Sequence, residues 1–174
     1  MEAAKRLYRQ AMEWLYIACI GLAGVVMLVM TIIIPYGVFM RYVMNSPSSW
    51  PEPAGILLMV VFSFMGGAAA YRARAHIAVT TLLNALAPAP RKKVELAAEI
   101  GMAVVALFMI KWGVLLMEAT WYNTIAEFPS LPTGLTYVPI PMAGVVTLLF
   151  VIERIWLGDA PETSFTFRDQ PQAE

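Results

Sequence analysis

Residues 17–29 read Ile-Ala-Cys-Ile-Gly-Leu-Ala-Gly-Val-Val-Met-Leu-Val, a run without one charged side chain. A helix needs roughly 20 apolar residues to cross about 30 Å of hydrocarbon, and this run is the centre of a longer apolar segment. Three more apolar segments follow along the 174-residue chain. The sequence therefore predicts an all-α membrane protein with four transmembrane helices. The predicted spans cover about residues 14–40, 54–71, 94–122 and 134–156, within a single membrane domain of residues 14–157.

The overall composition agrees with a membrane protein. Hydrophobic residues make up 60% of the chain and charged residues 14%, against about 25% charged in an average soluble domain. The 12 basic and 12 acidic residues balance, so there is no basic footprint for nucleic acid. Cys19 is the single cysteine, which excludes an intramolecular disulfide. The first apolar segment is too long for a cleavable signal peptide, and we expect it to remain as a span.

The distribution of basic residues predicts the orientation. Loops 41–53 and 123–133 contain Arg41 and no other Lys or Arg. Because cytoplasmic loops are enriched in Lys and Arg, both termini and the middle loop are predicted to face the cytoplasm of a bacterial inner membrane. Residues 1–13 and a flexible tail of residues 158–174 are then cytoplasmic. The N-terminal segment and the middle loop contain the basic residues Lys5, Arg6, Arg9, Arg72, Arg74, Arg91, Lys92 and Lys93.

The middle loop is predicted to contain a short helix of its own. Most apolar residues of segment 76–87 fall on one side of a helix, and Thr80, Thr81 and Asn84 fall largely on the other. Such a pattern is typical of an amphipathic helix that lies in the membrane interface. His76 stands near its start, where we expect it to bond to local backbone rather than to bind a metal. The basic run 91–93 can attract anionic headgroups at about 1 kcal/mol per charge.

The predicted spans contain little that could carry chemistry. The chain has one histidine and no phosphate-binding loop, HExxH or CxxC motif, so we expect neither an enzyme nor a bound cofactor. Mid-span residues are almost all apolar, and no carboxylate is placed at the bilayer centre, where a coupling site would be expected. Glu153 and Arg154 are interpreted as charges at the cytoplasmic end of the fourth span. These features favour a subunit over a complete transporter, with small-residue faces such as Gly66 to Ala70 available for close helix packing.

Several local patterns together resemble one family, the small membrane subunit (DctQ-type component) of tripartite ATP-independent periplasmic (TRAP) transporters. The resemblance covers roughly residues 14–157 and depends on the order and spacing of short motifs. These are Arg41-Tyr42; Asn45; Trp50-Pro51-Glu52; Phe64-Met65-Gly66-Gly67-Ala68-Ala69; Arg72; His76-Ile77-Ala78-Val79; Pro129-Ser130-Leu131-Pro132; Tyr137; and Ile140-Pro141.

The resemblance implies a specific function. Such a subunit is a static membrane scaffold that binds no substrate and supports a large, multi-span DctM-type subunit. The large subunit carries the sodium and substrate sites, and a DctP-type periplasmic binding protein delivers carboxylates or related organic anions. Besides these proteins, the expected partners are membrane lipids. The candidate residues for fixing the structure or contacting a partner are Arg41, Trp50, Glu52, Gly66, Gly67, Arg72, His76 and Pro141.

Two alternatives bear on these expectations. A self-contained small multidrug-type exporter is another kind of four-helix transporter. A haem- or quinone-binding anchor would need histidines inside the spans, and His76, the sole histidine, lies outside them. For Arg41 and Glu52 three roles remain open: the side chains could pair with each other, reach a partner protein, or be solvated charges at the headgroup level worth under about 1 kcal/mol.

Overall fold

The structure, a computed structural model, describes residues 2–74 and 88–158 and is mostly helical (83%). Within these residues, four segments are long and apolar enough to cross a membrane, which confirms the predicted number of such helices. The predicted interfacial helix of residues 76–87, His76 and the tail of residues 159–174 lie outside the described residues. The four long helices are α1 (Glu2–Tyr42), α2 (Pro51–Arg72), α3 (Pro88–Thr120) and α4 (Pro139–Leu157).

Two of these helices begin six or more residues before the spans predicted for them. Helix α1 begins at Glu2 instead of near residue 14, and its 41 residues extend about 60 Å. Helix α3 begins at Pro88. Proline is favoured in the first turn of a helix because the amide hydrogen that it lacks would have no intrahelical partner there. A hydropathy pattern indicates only the part of a helix that lies in hydrocarbon, so it does not predict the polar N-terminal extensions of α1 and α3.

The helices are arranged in the order α1, α2, α4, α3. Helix α1 packs on α2, α2 packs on α4, and α3 packs on α4. The core between α1, α2 and α4 includes Tyr16, Cys19, Met65, Phe150 and Val151. Because α1 and α3 are the outer members, most of their apolar surface faces outward.

Helices α3 and α4 approach each other closely at two glycines. A Cβ atom added to Gly144 would lie 2.9 Å from the carbonyl oxygen of Ala106, and one added to Gly113 would lie 2.7 Å from Cδ of Pro141. Only glycine leaves room for the neighbouring helix at these points. The α3–α4 crossing thus depends on Gly113 and Gly144, which the sequence did not distinguish from other glycines.

The segment between α3 and α4 is more ordered than the loop predicted for residues 123–133. It forms a small antiparallel hairpin of β1 (Thr124–Ile125) and β2 (Phe128–Pro132), followed by a 3-10 helix (Thr133–Tyr137). The amide of Thr133 donates to the carbonyl oxygen of Asn123 at 2.7 Å and closes the hairpin. This hairpin lies at the same end of the bundle as the α1–α2 connection.

Candidate functional site

A buried ion pair joins α2 to α4 near the end of the bundle that carries the chain's N-terminal turns. The Arg72 guanidinium bonds to the Glu153 carboxylate through two atoms, Nε to Oε2 at 2.8 Å and Nη2 to Oε1 at 2.9 Å. The two side chains are only 4% and 5% exposed. Two parallel bonds of this kind fix both distance and orientation, since the guanidinium and the carboxylate are planar.

Aromatic rings enclose this pair. The Arg72 guanidinium carbon lies 5.3 Å from the ring centroid of Tyr16 on α1 and 5.5 Å from that of Phe150 on α4. A guanidinium at this distance from an aromatic face is attracted by the ring electrons. Arg72, which belongs to α2, therefore contacts α4 through Glu153 and Phe150 and α1 through Tyr16.

A second polar cluster lies beside the first and adds α3. The Tyr71 hydroxyl donates to the Glu99 carboxylate, and Arg154 Nη1 lies 3.1 Å from Glu99 Oε1. The Arg154 guanidinium also lies 5.3 Å from the Tyr71 ring centroid. Together these residues and the Arg72–Glu153 pair form what we call the polar clasp, defined by Tyr16, Tyr71, Arg72, Glu99, Glu153 and Arg154.

The polar clasp has two cations and two carboxylates and is therefore neutral as a whole. Its charged groups contact one another instead of facing an open pathway. Each buried ion loses several kcal/mol of hydration, which its partner's attraction offsets only while the geometry holds. The arrangement can therefore fix the relative positions of all four helices at this end, and it leaves no unpaired carboxylate in the clasp to exchange a proton.

Glu153 and Arg154 lie in the last turns of α4, as expected from the sequence, but Glu153 is only 4% exposed, and this burial was not predicted. Arg72 was singled out from the sequence, but its partner was not. The usable signal was that Arg72, Glu99, Glu153 and Arg154 all stand at the same predicted membrane level with opposite signs. Four such charges near one boundary can neutralise one another, whereas each by itself resembles a charge in the headgroup region.

Three other predicted residues come together at the opposite end, where α1 meets α2. Arg41 Nη2 lies 3.3 Å from Glu52 Oε2, and these side chains are 47% and 75% exposed. Trp50 packs against Tyr36 with ring centroids 5.9 Å apart. Arg41 and Glu52 therefore pair with each other in a solvent-accessible position, whereas the Arg72–Glu153 pair is buried.

The remaining candidates have separate positions. Gly66 faces Ala23 of α1 at ordinary contact distance, and nothing lies within 4 Å of the position a Cβ on Gly67 would take. Pro141 packs against Gly113 at the α3–α4 crossing. Within residues 2–74 and 88–158, no group of three or more His, Cys, Asp or Glu side chains could hold a metal ion.

Comparison with known proteins identifies the family. The family model described as the DctQ component of tripartite ATP-independent periplasmic transporters matches residues 30–160. A protein of Haemophilus influenzae, named as a candidate TRAP transporter small permease protein, is 28% identical over 155 residues, which span 89% of this chain and 91% of the relative. The matched range includes both the Arg41–Glu52 pair and the polar clasp apart from Tyr16. With more than half of its length matched, the chain belongs to the DctQ component family of tripartite ATP-independent periplasmic transporters.

Proposed function

We propose that this chain is the static scaffold subunit of a sodium-coupled TRAP importer of organic anions. In this proposal it binds no substrate itself, supports a large DctM-type subunit and helps to dock a DctP-type binding protein. The observation that carries the proposal is the polar clasp, because it fastens four helices to one another within a family of transporter components.

The packing supports a rigid body over a moving one. A transport domain must slide or rock, and helices that move past one another need interfaces without interlocked charges. Here Arg72, Glu99, Glu153 and Arg154 interlock one end, and close glycine contacts fix the α3–α4 crossing. Moving any one of these helices by a turn would separate buried charges, at a cost of several kcal/mol.

The outward faces support attachment to a larger membrane protein. In the most apolar 18-residue stretch of each span, 11% of the residues of α3 and 17% of those of α1 are buried within the chain. The corresponding share in the fourth span is 39%. The two outer helices thus offer long apolar surfaces to lipid and to a partner subunit. A scaffold that extends the fixed footprint of a large subunit needs such surfaces.

The charges support an orientation with both termini in the cytoplasm. The basic residues of α1's first turns, Arg72 and the start of α3 lie at the end of the bundle that includes the polar clasp. In the half of the bundle with the hairpin, the described basic residues are Arg41 and Lys111, which lies nine residues before the end of α3. By the positive-inside rule the clasp end faces the cytoplasm of a bacterial inner membrane and the hairpin end faces the periplasm.

Transport by reconstituted protein tests the proposal. In liposomes with an inward sodium gradient, the chain alone should accumulate no organic acid, because its buried charges are paired with each other. The same liposomes with the co-expressed large subunit and the binding protein should show sodium-dependent uptake. Sodium-driven uptake by the chain alone would contradict the scaffold, and proton-driven drug efflux by it would favour the small exporter.

The docking role makes a separate prediction at the Arg41–Glu52 pair. Because both side chains are largely exposed, reversing either charge should change the free energy of unfolding by less than about 1 kcal/mol. If the pair contacts the binding protein, Arg41→Glu and Glu52→Arg should each reduce binding-protein-dependent uptake several-fold while the membrane complex still assembles. The measurements are thermal unfolding, co-purification of the two membrane subunits, and uptake.

The double reversal gives the control. Recovery of uptake when Arg41→Glu and Glu52→Arg are combined would mean that the residues act through each other and not through docking. Normal uptake in both single variants would remove the pair from the docking surface.

A further inference from the structure

A half-open cavity of about 720 Å³ lies between the first turns of α1 and the end of α4. Lys5, Arg6 and Arg9 line it from α1, and Trp156 and Leu157 line it from α4. It is formed mainly by residues that precede the range matched by the family model, which starts at residue 30. The cavity is also separate from the polar clasp, none of whose residues lines it.

The walls of this cavity are held in place by specific contacts. Arg9 Nη2 donates to the carbonyl oxygen of Leu157 at 2.9 Å, which satisfies one of the free carbonyl groups at the end of α4. The Tyr8 hydroxyl donates to the carbonyl oxygen of Leu149 at 3.0 Å. The Tyr8 ring also packs edge-on against Trp156, with centroids 5.9 Å apart. The basic turn of α1 is thereby fixed against α4 before any ligand binds.

The cavity carries an excess of positive charge. It has three cationic side chains and a single carboxylate, that of Glu2. Within the described ranges, no carboxylate forms an ion pair with Lys5 or Arg6. Guanidinium and ammonium groups at close quarters suit a phosphate, whose oxygens accept several charge-assisted hydrogen bonds.

The position of the cavity indicates which kind of phosphate-containing molecule can reach it. Arg9 lies seven residues before Tyr16, about 10 Å further outward along α1 than the level of the Arg72–Glu153 pair. Trp156, which lines the cavity, and Trp14, four residues after the lining residue Gln10, are 54% and 72% exposed, which is typical of side chains at the hydrocarbon boundary. Leu7, 70% exposed, adds apolar surface beside the cations. Charged and apolar groups together match a lipid headgroup with its acyl chains below.

We propose that this cavity binds the phosphate group of an anionic membrane lipid, with Lys5, Arg6 and Arg9 as its ligands and Trp156 against the upper acyl chain. Such a lipid adds a further contact between the N-terminal turns of α1 and the end of α4, beside the Arg9–Leu157 hydrogen bond. The same chemistry would accept free inorganic phosphate, and the two sources are separated by experiment.

Native mass spectrometry of the full-length chain in detergent, titrated with phosphatidylglycerol, measures the binding. The test variant is Lys5→Gln with Arg6→Gln, which leaves the Arg9–Leu157 contact intact. The matched control is Arg41→Gln with Lys111→Gln, an equal loss of charge on exposed residues in the hairpin half of the bundle, outside the cavity. Phosphatidylcholine and millimolar inorganic phosphate are added in parallel, and thermal unfolding checks that both variants fold.

The test variant should bind phosphatidylglycerol about thirtyfold more weakly than the unmodified chain, whereas the control should change less than twofold. Phosphatidylcholine should bind more weakly and equally to all three proteins. Displacement of the lipid by inorganic phosphate would keep the site and assign it to the free anion; failure of phosphate to compete would assign it to the lipid. Equal losses in the test and control variants, or no loss in the test variant, would overturn the proposal.

Discussion

Arg72→Met and Glu153→Leu are each expected to lower the free energy of unfolding by about 3–5 kcal/mol, since either one leaves a buried charge without its partner. The Arg72 and Glu153 side chains are 4% and 5% exposed, so water cannot replace the missing group without opening the α2–α4 interface. The double variant should recover most of that loss, because two apolar side chains of similar volume remove both charges together.

Arg91 and Glu95 supply a matched control for this prediction. They also form an arginine–glutamate pair, at 3.0 Å, but their side chains are 41% and 32% exposed and stand four residues apart on one helix. Arg91→Met should cost no more than about 0.5 kcal/mol. Unfolding of the purified protein in mixed micelles, followed by helical circular dichroism against added SDS, compares all four variants. If the Arg72 and Glu153 variants lost no more stability than Arg91→Met, the buried pair would not hold the helices together.

The same variants connect stability to function. A scaffold should tolerate the apolar double variant, because it needs the helices held together rather than a charge at that position. Uptake by the assembled transporter is therefore expected to follow the stability of the variants, with the single changes impaired and the double change largely restored. Loss of uptake in a double variant that is stable and assembled would instead assign the ion pair a direct part in transport.

The four spans could be predicted from sequence because hydrocarbon imposes one simple requirement, a long enough run of apolar side chains. The polar clasp could not. Arg72 and Glu153 are 81 residues apart in sequence, and their contact follows from the order α1, α2, α4, α3. Span length and hydropathy carry no information about which helices are neighbours, so Glu153 resembled an ordinary terminal charge. Arg72 was recognised only because it matches a family motif.

The Arg41–Glu52 pair was easier to anticipate because a short connection brings its two residues together. With ten residues between them, the end of α1 and the start of α2 must lie close, whatever the arrangement of the other helices. The hairpin of residues 124–132 was missed for a different reason. Pro129 and Pro132 disfavour a strand in the interior of a sheet, but β2 has only β1 beside it, and a strand with a free edge tolerates proline.

Small residues illustrate the limit of reading packing from sequence. The Gly66-Gly67 pair looked like the strongest close-packing face, yet a Cβ on Gly67 would meet nothing within 4 Å. The tight contacts between α3 and α4 are at Gly113 and Gly144, neither of which has a second glycine beside it. A glycine matters for packing only where another backbone approaches it, and that depends on the crossing point of two helices.

Gly144→Ala is accordingly expected to destabilise the protein by about 1–3 kcal/mol, the usual range for overpacking a well-filled interface. The new Cβ would lie 2.9 Å from the carbonyl oxygen of Ala106 and 3.1 Å from the amide nitrogen of Ile110. Both are backbone atoms of α3, which cannot rotate away as a flexible side chain would. Relieving the clash would require a shift of the whole of helix α3. Such a shift would disturb the packing around Ala106, which is fully buried.

Gly101→Ala is the control, because it adds the same methyl group to α3 at a position with nothing within 4 Å. Alanine favours a helix over glycine by up to about 1 kcal/mol, so this variant should be neutral or slightly more stable. The two substitutions should therefore change the free energy of unfolding in opposite directions in the same SDS titration. Equal stability of the two variants would mean that α3 and α4 can separate at little cost. Helix α3 would then be held to α4 mainly at the polar clasp.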